Sequence, residues 1–167
     1  MKPNFSKIKI IVMDFDGVLT DNNVIIDETG KESVICNRSD GLGVEMLMKA
    51  GIDSVVISKE NSSVVAARCR KLGIECHQPV DNKLQKFNEI LKAKKVSPGR
   101  AVFMGNDIND VDCIKAAGIG VAPSDAHESA LKAADFVTRQ QGGRGAVREI
   151  CDLILEAGRH DDKKRAI

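Results

Sequence analysis

Five short runs of aliphatic residues, separated by segments with helical periodicity, limit the folds that this chain of 167 residues can adopt. The runs lie at residues 7–14, 53–58, 101–105, 119–122 and 135–138. They are nearly continuous in apolar residues, as in strands that are buried on both faces. Helical spacing of apolar residues is found between and after them, at residues 42–50, 62–72, 82–95, 109–117, 126–133 and 145–157. This alternation predicts an α/β fold: a Rossmann-like parallel sheet with helices on both faces.

One segment departs from the alternation. Residues 23–37 contain two strand-like arms around the turn sequence Glu28-Thr29-Gly30-Lys31, which predicts a β-hairpin inserted after the first strand. The length of the chain suits one domain with a core of its own. We predict a single domain over residues 1–160, followed by a loose charged tail over residues 161–167.

The composition argues against several classes of partner. The chain has 25 basic and 24 acidic side chains, and only 3% of its residues are aromatic. This balance gives no electrostatic footprint for nucleic acid or an anionic membrane, and no platform for base stacking. The five cysteines are odd in number and scattered, so we expect reduced thiols. Because the first apolar run is too short for a signal peptide or a membrane span, we expect a cytoplasmic protein.

Polar side chains follow the strand ends, where ligands collect in open α/β sheets. Asp14 and Asp16 follow the first apolar run, Ser58 follows the second and the sequence GNDIND follows the third, while Lys83 begins the longest predicted helix. Four separate segments therefore bring polar groups to one edge of the sheet, which is the pattern expected of an active site. Taken singly, each piece has a simpler interpretation, such as a turn, a helix cap or a solvated first-turn residue.

The two leading aspartates suit phosphoryl transfer. Residues i and i+2 of an extended chain project to the same side, so a phosphoryl group fits between Asp14 and Asp16. Asp14 would attack phosphorus and Asp16 would protonate the leaving oxygen. The acidic cluster also requires a divalent cation, and its hard oxygen donors favour Mg²⁺. Further groups would bind the phosphate: the Lys83 ammonium, the Ser58 hydroxyl and the open backbone at Gly17.

These four segments, in this order and spacing, resemble the four motifs of the haloacid dehalogenase-type phosphohydrolases. The resemblance implies that Asp14 becomes an aspartyl phosphate and that Asp16 acts first as general acid and then as base. It also implies Mg²⁺ held by Asp14, the backbone carbonyl of Asp16 and an acidic residue of the fourth motif. That motif here is Gly105-Asn106-Asp107, where the family usually has Gly-Asp-Asp, so the usual ligand position carries Asn106. An amide oxygen can coordinate Mg²⁺ with one negative charge fewer, and Asp107 or Asp110 is expected to compensate.

Four further stretches extend the resemblance over nearly the whole chain: the hairpin, NRSDGLG (37–43), APSDAH (122–127) and GGRGAVREICDLIL (142–155). They look like the small branch without a cap domain that acts on 3-deoxy-2-ulosonate phosphates. Members of that branch are tetramers whose hairpins pack together and in which a neighbouring subunit closes the site. The resemblance therefore implies a homotetramer that acts on a small sugar acid phosphate.

The choice of sugar depends on fewer residues. Ser58-Lys59-Glu60 is closer to the second motif of nonulosonate 9-phosphate phosphatases than to that of 3-deoxy-D-manno-octulosonate 8-phosphate phosphatases. Arg68 and Lys71 lie where this branch supplies basic residues for the sugar carboxylate across a subunit interface, and Glu60 is expected to accept hydrogen bonds from sugar hydroxyls. These features favour the nine-carbon acid phosphate, with the eight-carbon one close behind. The alternative is that residues 60, 68 and 71 are ordinary exposed helix positions.

A second hypothesis comes from a different functional class. Asn106 at the usual metal position is compatible with a catalytically weak tetramerisation or regulatory module, like the C-terminal domain of CMP-sialate synthetases. The presence of both Asp14 and Asp16 argues against this hypothesis. Nucleotide binding is disfavoured because no glycine-rich phosphate-binding motif follows any strand.

Overall fold

The computed structural model describes residues 3–165, with the side chains of residues 3–159. Its main sheet has six parallel strands: β1 (Ile10–Met13), β4 (Asp53–Ile57), β5 (Glu75–His77), β6 (Ala101–Met104), β7 (Ile119–Ala122) and β8 (Phe136–Val137). Their order across the sheet is β5-β4-β1-β6-β7-β8. The predicted α/β fold with a parallel sheet is confirmed. Strand β5 was not predicted, because three residues with two polar side chains carry too little periodicity to be recognised.

Six helices connect and cover the strands: α1 (Arg38–Lys49), α2 (Ser63–Leu72), α3 (Lys83–Lys94), α4 (Val111–Ala116), α5 (Glu128–Ala133) and α6 (Ala146–Arg165). Residues of α1, α2 and α6 pack on one face of the sheet. Residues of α3, α4 and α5 pack on the other face. In the part of the chain that the structure describes, no helix is both long and apolar enough to cross a membrane.

The central strand β1 supplies both cores. Ile11 and Met13 face the core beneath α1 and α6, whereas Ile10 and Val12 face the core beneath α3 and α4. All four side chains are fully buried. Successive side chains of a strand point to opposite faces, so a strand covered on both sides must be apolar throughout. This explains why the run that leads to Asp14 contains no polar residue after Lys9.

The last helix extends into the charged C-terminal segment. Helix α6 continues to Arg165, so the backbone of residues 161–165 is helical, and the loose tail over residues 161–167 stays a prediction. Aspartate, lysine and arginine can extend a helix that packing has already nucleated, which the charge pattern alone does not reveal. The last two residues of the predicted tail, 166–167, lie outside the described residues.

The hairpin insertion has the predicted location, with strands β2 (Ile25–Ile26) and β3 (Glu32–Ser33) paired antiparallel in a sheet of their own. Its turn is organised by Asp27, whose carboxylate accepts hydrogen bonds from the backbone N–H groups of Thr29 (2.9 Å) and Lys31 (3.0 Å). The hairpin exposes aliphatic side chains: Val24, Ile25, Ile26 and Ile35 are 48, 58, 65 and 56% exposed.

The strand order places a topological switch point beside β1. The chain passes from β1 to β4 and β5 on one side, then returns to β6, which pairs with β1 on the other side. Loops diverge at such a point and leave a crevice outside the carboxyl ends of the strands. The segments after β1 and β6, which carry most of the predicted acids, border this crevice.

Candidate active site

The carboxyl ends of the central strands enclose a small polar cavity of about 200 Å³. Its lining comes from four separate segments: Asp14, Asp16 and Asn22 after β1; Ser58, Lys59 and Glu60 after β4; Lys83 at the start of α3; and Asn106, Asp107 and Asn109 after β6. The structure thus brings together most of the residues that the strand-end argument selected. Parallel strands that end at one edge of a sheet account for this convergence.

Asp14 lies at the base of the cavity and is only 7% exposed. One carboxylate oxygen accepts the N–H of Phe15 (2.7 Å), and the other lies 2.8 Å from the Lys83 ammonium. Burial and the nearby charge of Asp110 raise the pKa of Asp14 from 3.8 to about 7, against the opposing effect of Lys83. One lysine therefore does not fully compensate the negative charge at this position.

Lys83 is held between two carboxylates. Its Nζ lies 2.8 Å from Asp14 Oδ2 and 2.7 Å from Asp110 Oδ1, and the residue is 4% exposed. Burial opposes the charged form, but the two carboxylates outweigh it and raise the pKa of Lys83. Lys83 is the first residue of α3, and the side chain of Asn82 caps that helix by accepting the N–H of Gln85 (3.0 Å). A rigid helix end therefore fixes the ammonium beside Asp14.

Asp110 contacts Lys83 and the backbone after β6. It is fully buried and does not line the cavity. Oδ1 contacts Lys83, and Oδ2 accepts the backbone N–H groups of Asn106 (3.0 Å) and Asp107 (3.3 Å). Through these contacts Asp110 orients Lys83 and the loop after β6. Its predicted part as a metal ligand stays a prediction.

Asp16 is half-buried at the mouth of the cavity. Burial is the main cause that raises the pKa of Asp16, with a hydrogen bond from Thr20 acting in the opposite direction. The hydroxyl of Thr20 lies 3.5 Å from Asp16 Oδ1 and accepts the N–H of Gly17 (3.1 Å). Gly17 has φ +75°, a conformation that is easy only for glycine. The loop from 15 to 20 thus holds a carboxyl group that keeps its proton to higher pH than usual.

Ser58 is also fixed in place. It is 1% exposed, its hydroxyl accepts the N–H of Glu60 (3.2 Å), and its backbone bonds to His77 and Val80 (both 3.0 Å). The residue therefore continues the hydrogen bonding of β4 beyond the strand end. Its neighbour Glu60 is exposed and borders the same cavity, on the side open to solvent.

The donor set suits a hard divalent cation. Asp14, Asp16, Asn106 and Asp107 present carboxylate or amide oxygens to one cavity, and oxygen donors are the ligands that Mg²⁺ prefers. Gly17 makes room for Asn106, because a Cβ on Gly17 would overlap its amide group. Within residues 3–159, no three His, Cys, Asp or Glu side chains are grouped for a metal. Asn106 adds an amide oxygen to the carboxylates that line the cavity.

Three basic residues lie away from the cavity. Arg68 donates from Nη2 to the backbone oxygen of Asn37 (3.0 Å), Lys71 is exposed on α2, and Arg144 pairs with Asp21 (3.2 Å). Within one chain, then, neither Arg68 nor Lys71 reaches the pocket that holds Asp14. Their predicted contact with the sugar carboxylate requires the site of a neighbouring subunit and stays a prediction.

Four residues of the site were not assigned a role by the sequence. Lys59, Asn22 and Asn109 line the cavity, and the buried Thr20 supports the Asp16 loop. Lys59 and Asn109 lie within the strand-end segments, so their position was predictable although their role was not. Asn22 has φ +64°, a left-handed conformation that Asn tolerates better than most residues. Its sequence context, DNN after the first motif, gives the only available signal.

Comparisons with known proteins agree with this geometry. A family model described as haloacid dehalogenase-like hydrolase matches residues 56–150. The 3-deoxy-D-manno-octulosonate 8-phosphate phosphatase KdsC of Escherichia coli (strain K12) is 36% identical over 159 residues, which cover 94% of this chain and 85% of that protein.

Two solved structures of proteins with the same name are also similar. The one from Yersinia pestis has a TM-score of 0.90 and 35% identity, over 93% of this chain and 84% of that chain. The one from Moraxella catarrhalis, in complex with a magnesium ion, a phosphate ion and a KDO molecule, has a TM-score of 0.90 and 32% identity, over 98% and 94% of the two chains.

Proposed function

Because the chain belongs to the haloacid dehalogenase-like hydrolase family, we propose that it removes phosphate from a phosphorylated 3-deoxy-2-keto sugar acid. It is a phosphoric monoester hydrolase, as its phosphatase relatives are, and its cofactor is magnesium. One observation carries the proposal: Asp14 and Asp16 border a single cavity together with Lys83 and Ser58.

In the first half-reaction, Asp14 attacks the phosphorus atom. A bond forms between its carboxylate oxygen and phosphorus, and the bond from phosphorus to the sugar oxygen breaks. Asp16 donates its proton to that oxygen, a role favoured by the burial that raises its pKa. The Lys83 ammonium and the Ser58 hydroxyl hydrogen-bond the phosphate oxygens and stabilise the charge that develops on them.

In the second half-reaction, water hydrolyses the aspartyl phosphate. Asp16, now a carboxylate, accepts a proton from the water while the water oxygen bonds to phosphorus. The bond between Asp14 and phosphorus breaks, which releases inorganic phosphate and restores the Asp14 carboxylate. The roles of Asp16 in the two steps are the reverse of each other, so one half-buried residue serves both.

Magnesium would be held by Asp14, the Asp16 backbone carbonyl and Asn106, with Asp107 alongside. When bound, it supplies positive charge that favours the ionised form of Asp14 and reduces repulsion between the acids and the phosphate. The raised pKa of Asp14 supports this assignment, because the nucleophile must be a carboxylate and Lys83 alone does not keep it ionised near neutral pH.

The relatives favour an eight-carbon substrate. The substrate for which they are named, 3-deoxy-D-manno-octulosonate 8-phosphate, becomes more plausible here than the nonulosonate 9-phosphate that the second motif favoured. Glu60 is the residue on which the choice depends, since it borders the open side of the cavity where the sugar would lie. We infer that Glu60 accepts hydrogen bonds from sugar hydroxyls in either case.

We propose that the chain assembles as a homotetramer through its hairpins. Four neighbouring aliphatic side chains, Val24, Ile25, Ile26 and Ile35, are about half exposed, and a two-stranded hairpin is only marginally stable alone. Burial of these four side chains between subunits would remove apolar surface from water and would also stabilise the hairpin. In such an assembly Arg68 and Lys71 would reach the cavity of a neighbouring subunit. Ile26→Glu is expected to yield monomers or dimers in sedimentation velocity, whereas an unchanged mass would contradict the hairpin interface.

The function is tested by phosphate release from the eight- and nine-carbon acid phosphates at saturating Mg²⁺. We expect turnover by the wild-type chain and its loss in Asp14→Asn. A phosphoryl group on the peptide that contains Asp14, found by mass spectrometry after acid quenching, would support the covalent step. Retained turnover in Asp14→Asn would refute the mechanism.

Because Asn106 replaces an acid, the second candidate is a weak or inactive tetramerisation module, which predicts an intact tetramer with negligible phosphate release.

A further inference from the structure

Helix α6 begins without a capping side chain of its own. The residue before it is Gly145, with φ +105°, and glycine has no side chain that could accept the free N–H groups of the first turn. The carboxylate of Asp40, from α1, takes this role instead. Asp40 Oδ1 accepts the N–H of Arg148 (2.9 Å), and Oδ2 accepts the N–H of Gly145 (3.4 Å). Asp40 is fully buried, so the cap is made inside the protein.

The chain just before α6 lies directly on the loop that carries Asp16. Gly143 donates its N–H to the backbone oxygen of Val18 (2.9 Å). A Cβ on Gly142 would overlap the backbone oxygen of Gly17, and a Cβ on Gly143 would overlap the backbone of Thr20. Two backbones are therefore packed against each other with no side chain between them. A shift of the segment at 142–145 must move the Asp16 loop or separate the two.

A close packing of α1 on α6 brings Asp40 to this position. A Cβ on Gly43 would lie 3.0 Å from Cys151 Cβ and 3.0 Å from Arg148 Cδ. The glycine therefore allows the two helices to approach closely, three residues after Asp40. The resulting path runs from the Asp40 carboxylate through the start of α6 and the two glycines to the backbone around Asp16.

We propose that Asp40 is a positioning residue for the phosphatase reaction, because it fixes the start of α6 and thereby the loop that places Asp16. This inference rests on the proposed function for its kinetic part and on the contacts above for its structural part. The geometry of a general acid needs to be kept within a fraction of an ångström, and a distant change that loosens it lowers kcat. Asp40 itself touches no part of the cavity lining described above.

The energetics argue against a purely stabilising role. Burial raises the pKa of Asp40, although two backbone hydrogen bonds and the charges of Arg68 and Arg148 act in the opposite direction. The ionised group is thus less favourable in the folded chain than in water. Helices α2 and α3 are instead capped by neutral side chains at their own starts, Ser62 and Asn82, with no buried charge. Retention of a costly buried carboxylate is expected where it supports a functional site.

The test compares the full-length wild-type chain with Asp40→Asn, Asp40→Ala and the control Asp152→Asn. Asp152 lies on α6 and is partly exposed. Its carboxylate pairs with the Arg148 side chain (2.9 Å) rather than with the backbone at the start of α6. Amide hydrogen exchange is followed by mass spectrometry for peptides covering residues 15–22 and residues 101–104. Steady-state kinetics use 3-deoxy-D-manno-octulosonate 8-phosphate with Mg²⁺.

We expect both Asp40 variants to exchange faster at residues 15–22 and to match the wild type at residues 101–104, while Asp152→Asn matches it throughout. The kcat of Asp40→Ala should fall on the order of tenfold, with KM changed less than about twofold. Asp40→Asn keeps one acceptor oxygen, so its kcat should fall less. Unchanged exchange at residues 15–22, or equal effects in Asp152→Asn, would overturn the proposal. If Asp40→Ala does not fold, Asp40→Asn decides. A wild-type chain without phosphatase activity would refute the proposed function, and the exchange data would still decide the link from Asp40 to the loop.

Discussion

Replacement of Asp14 by Asn should stabilise the metal-free protein at alkaline pH. Asp14 is 7% exposed, and its pKa lies at about 7 instead of 3.8 because burial and Asp110 outweigh the attraction of Lys83. An acid whose folded-state pKa is raised stabilises the fold fully below its unfolded pKa, and this contribution is lost as pH rises through the folded pKa. The contribution of Asp14 to the stability of the wild-type protein should therefore be lost between about pH 4 and about pH 7.

The size of this effect follows from the two pKa values. The difference between 3.8 and about 7, at about 1.4 kcal/mol for each pKa unit, corresponds to about 4 kcal/mol. The attraction between Asp14 and Lys83 is already contained in that value. Asn has nearly the same shape and no charge at any pH, so Asp14→Asn should equal the wild type near pH 4 and exceed it by about 4 kcal/mol above about pH 7.

The assay is urea denaturation in EDTA, followed by far-UV circular dichroism because the chain has no Trp or Tyr for fluorescence. Added Mg²⁺ should stabilise the wild type, by about 2.7 kcal/mol at a hundredfold excess over Kd, and stabilise Asp14→Asn less. Asp27→Asn is a control of opposite sign, since hydrogen bonds from Thr29 and Lys31 lower the pKa of exposed Asp27. Two results would refute the reasoning. In the first, Asp14→Asn is no more stable than the wild type above about pH 7 in EDTA. In the second, the difference in unfolding free energy between the two proteins does not change with pH.

Three further predictions concern groups around Asp14. Lys83→Met leaves two buried carboxylates without their cation, so the metal-free protein should lose about 3–5 kcal/mol of unfolding free energy, measured by the same denaturation. Asn106→Asp adds a charged oxygen at the metal position and should tighten Mg²⁺ binding on the order of tenfold in calorimetry; an equal gain in the control Asn109→Asp would exclude direct coordination. Gly142→Ala forces a Cβ into backbone and should cost about 1–3 kcal/mol, whereas Gly99→Ala, with open space around it, should change stability by less than about 0.5 kcal/mol.

The sequence predicted the parts of the fold and site that depend on local pattern. Continuous apolar runs identified β1, β4, β6 and β7, because strands buried on both faces have no polar alternation. A short apolar run also identified β8, although its two residues are only partly buried or exposed. The acids of the cavity were predicted from their place in the sequence. Parallel strands that end at one edge of the sheet bring the residues that follow them together. Strand β5 was missed because its hydrogen bonds to β4, rather than its own sequence, define it.

Long-range partners decided what the sequence left open. Asp107 and Asp110 are chemically identical and three residues apart, and nothing local distinguishes a metal ligand from a support. The structure gives them different surroundings: Asp110 is fully buried with Lys83 and two N–H groups, whereas Asp107 lines the cavity. The role of Asp40 depends on the start of α6, more than a hundred residues away in the chain. Residue type and spacing carry no information about such partners.

The departure at Asn106 is best understood together with the charge on Asp14. In the folded chain Asp14 and Asp110 share one buried lysine, and burial together with the charge of Asp110 raises the pKa of Asp14. A carboxylate at position 106 would add a further negative charge in the metal-free protein and raise the pKa of Asp14 more. The amide avoids this cost while keeping an oxygen for the cation. We therefore propose that Asn106 lowers the affinity for magnesium and stabilises the metal-free fold. The substitution Asn106→Asp should strengthen magnesium binding and weaken the metal-free fold.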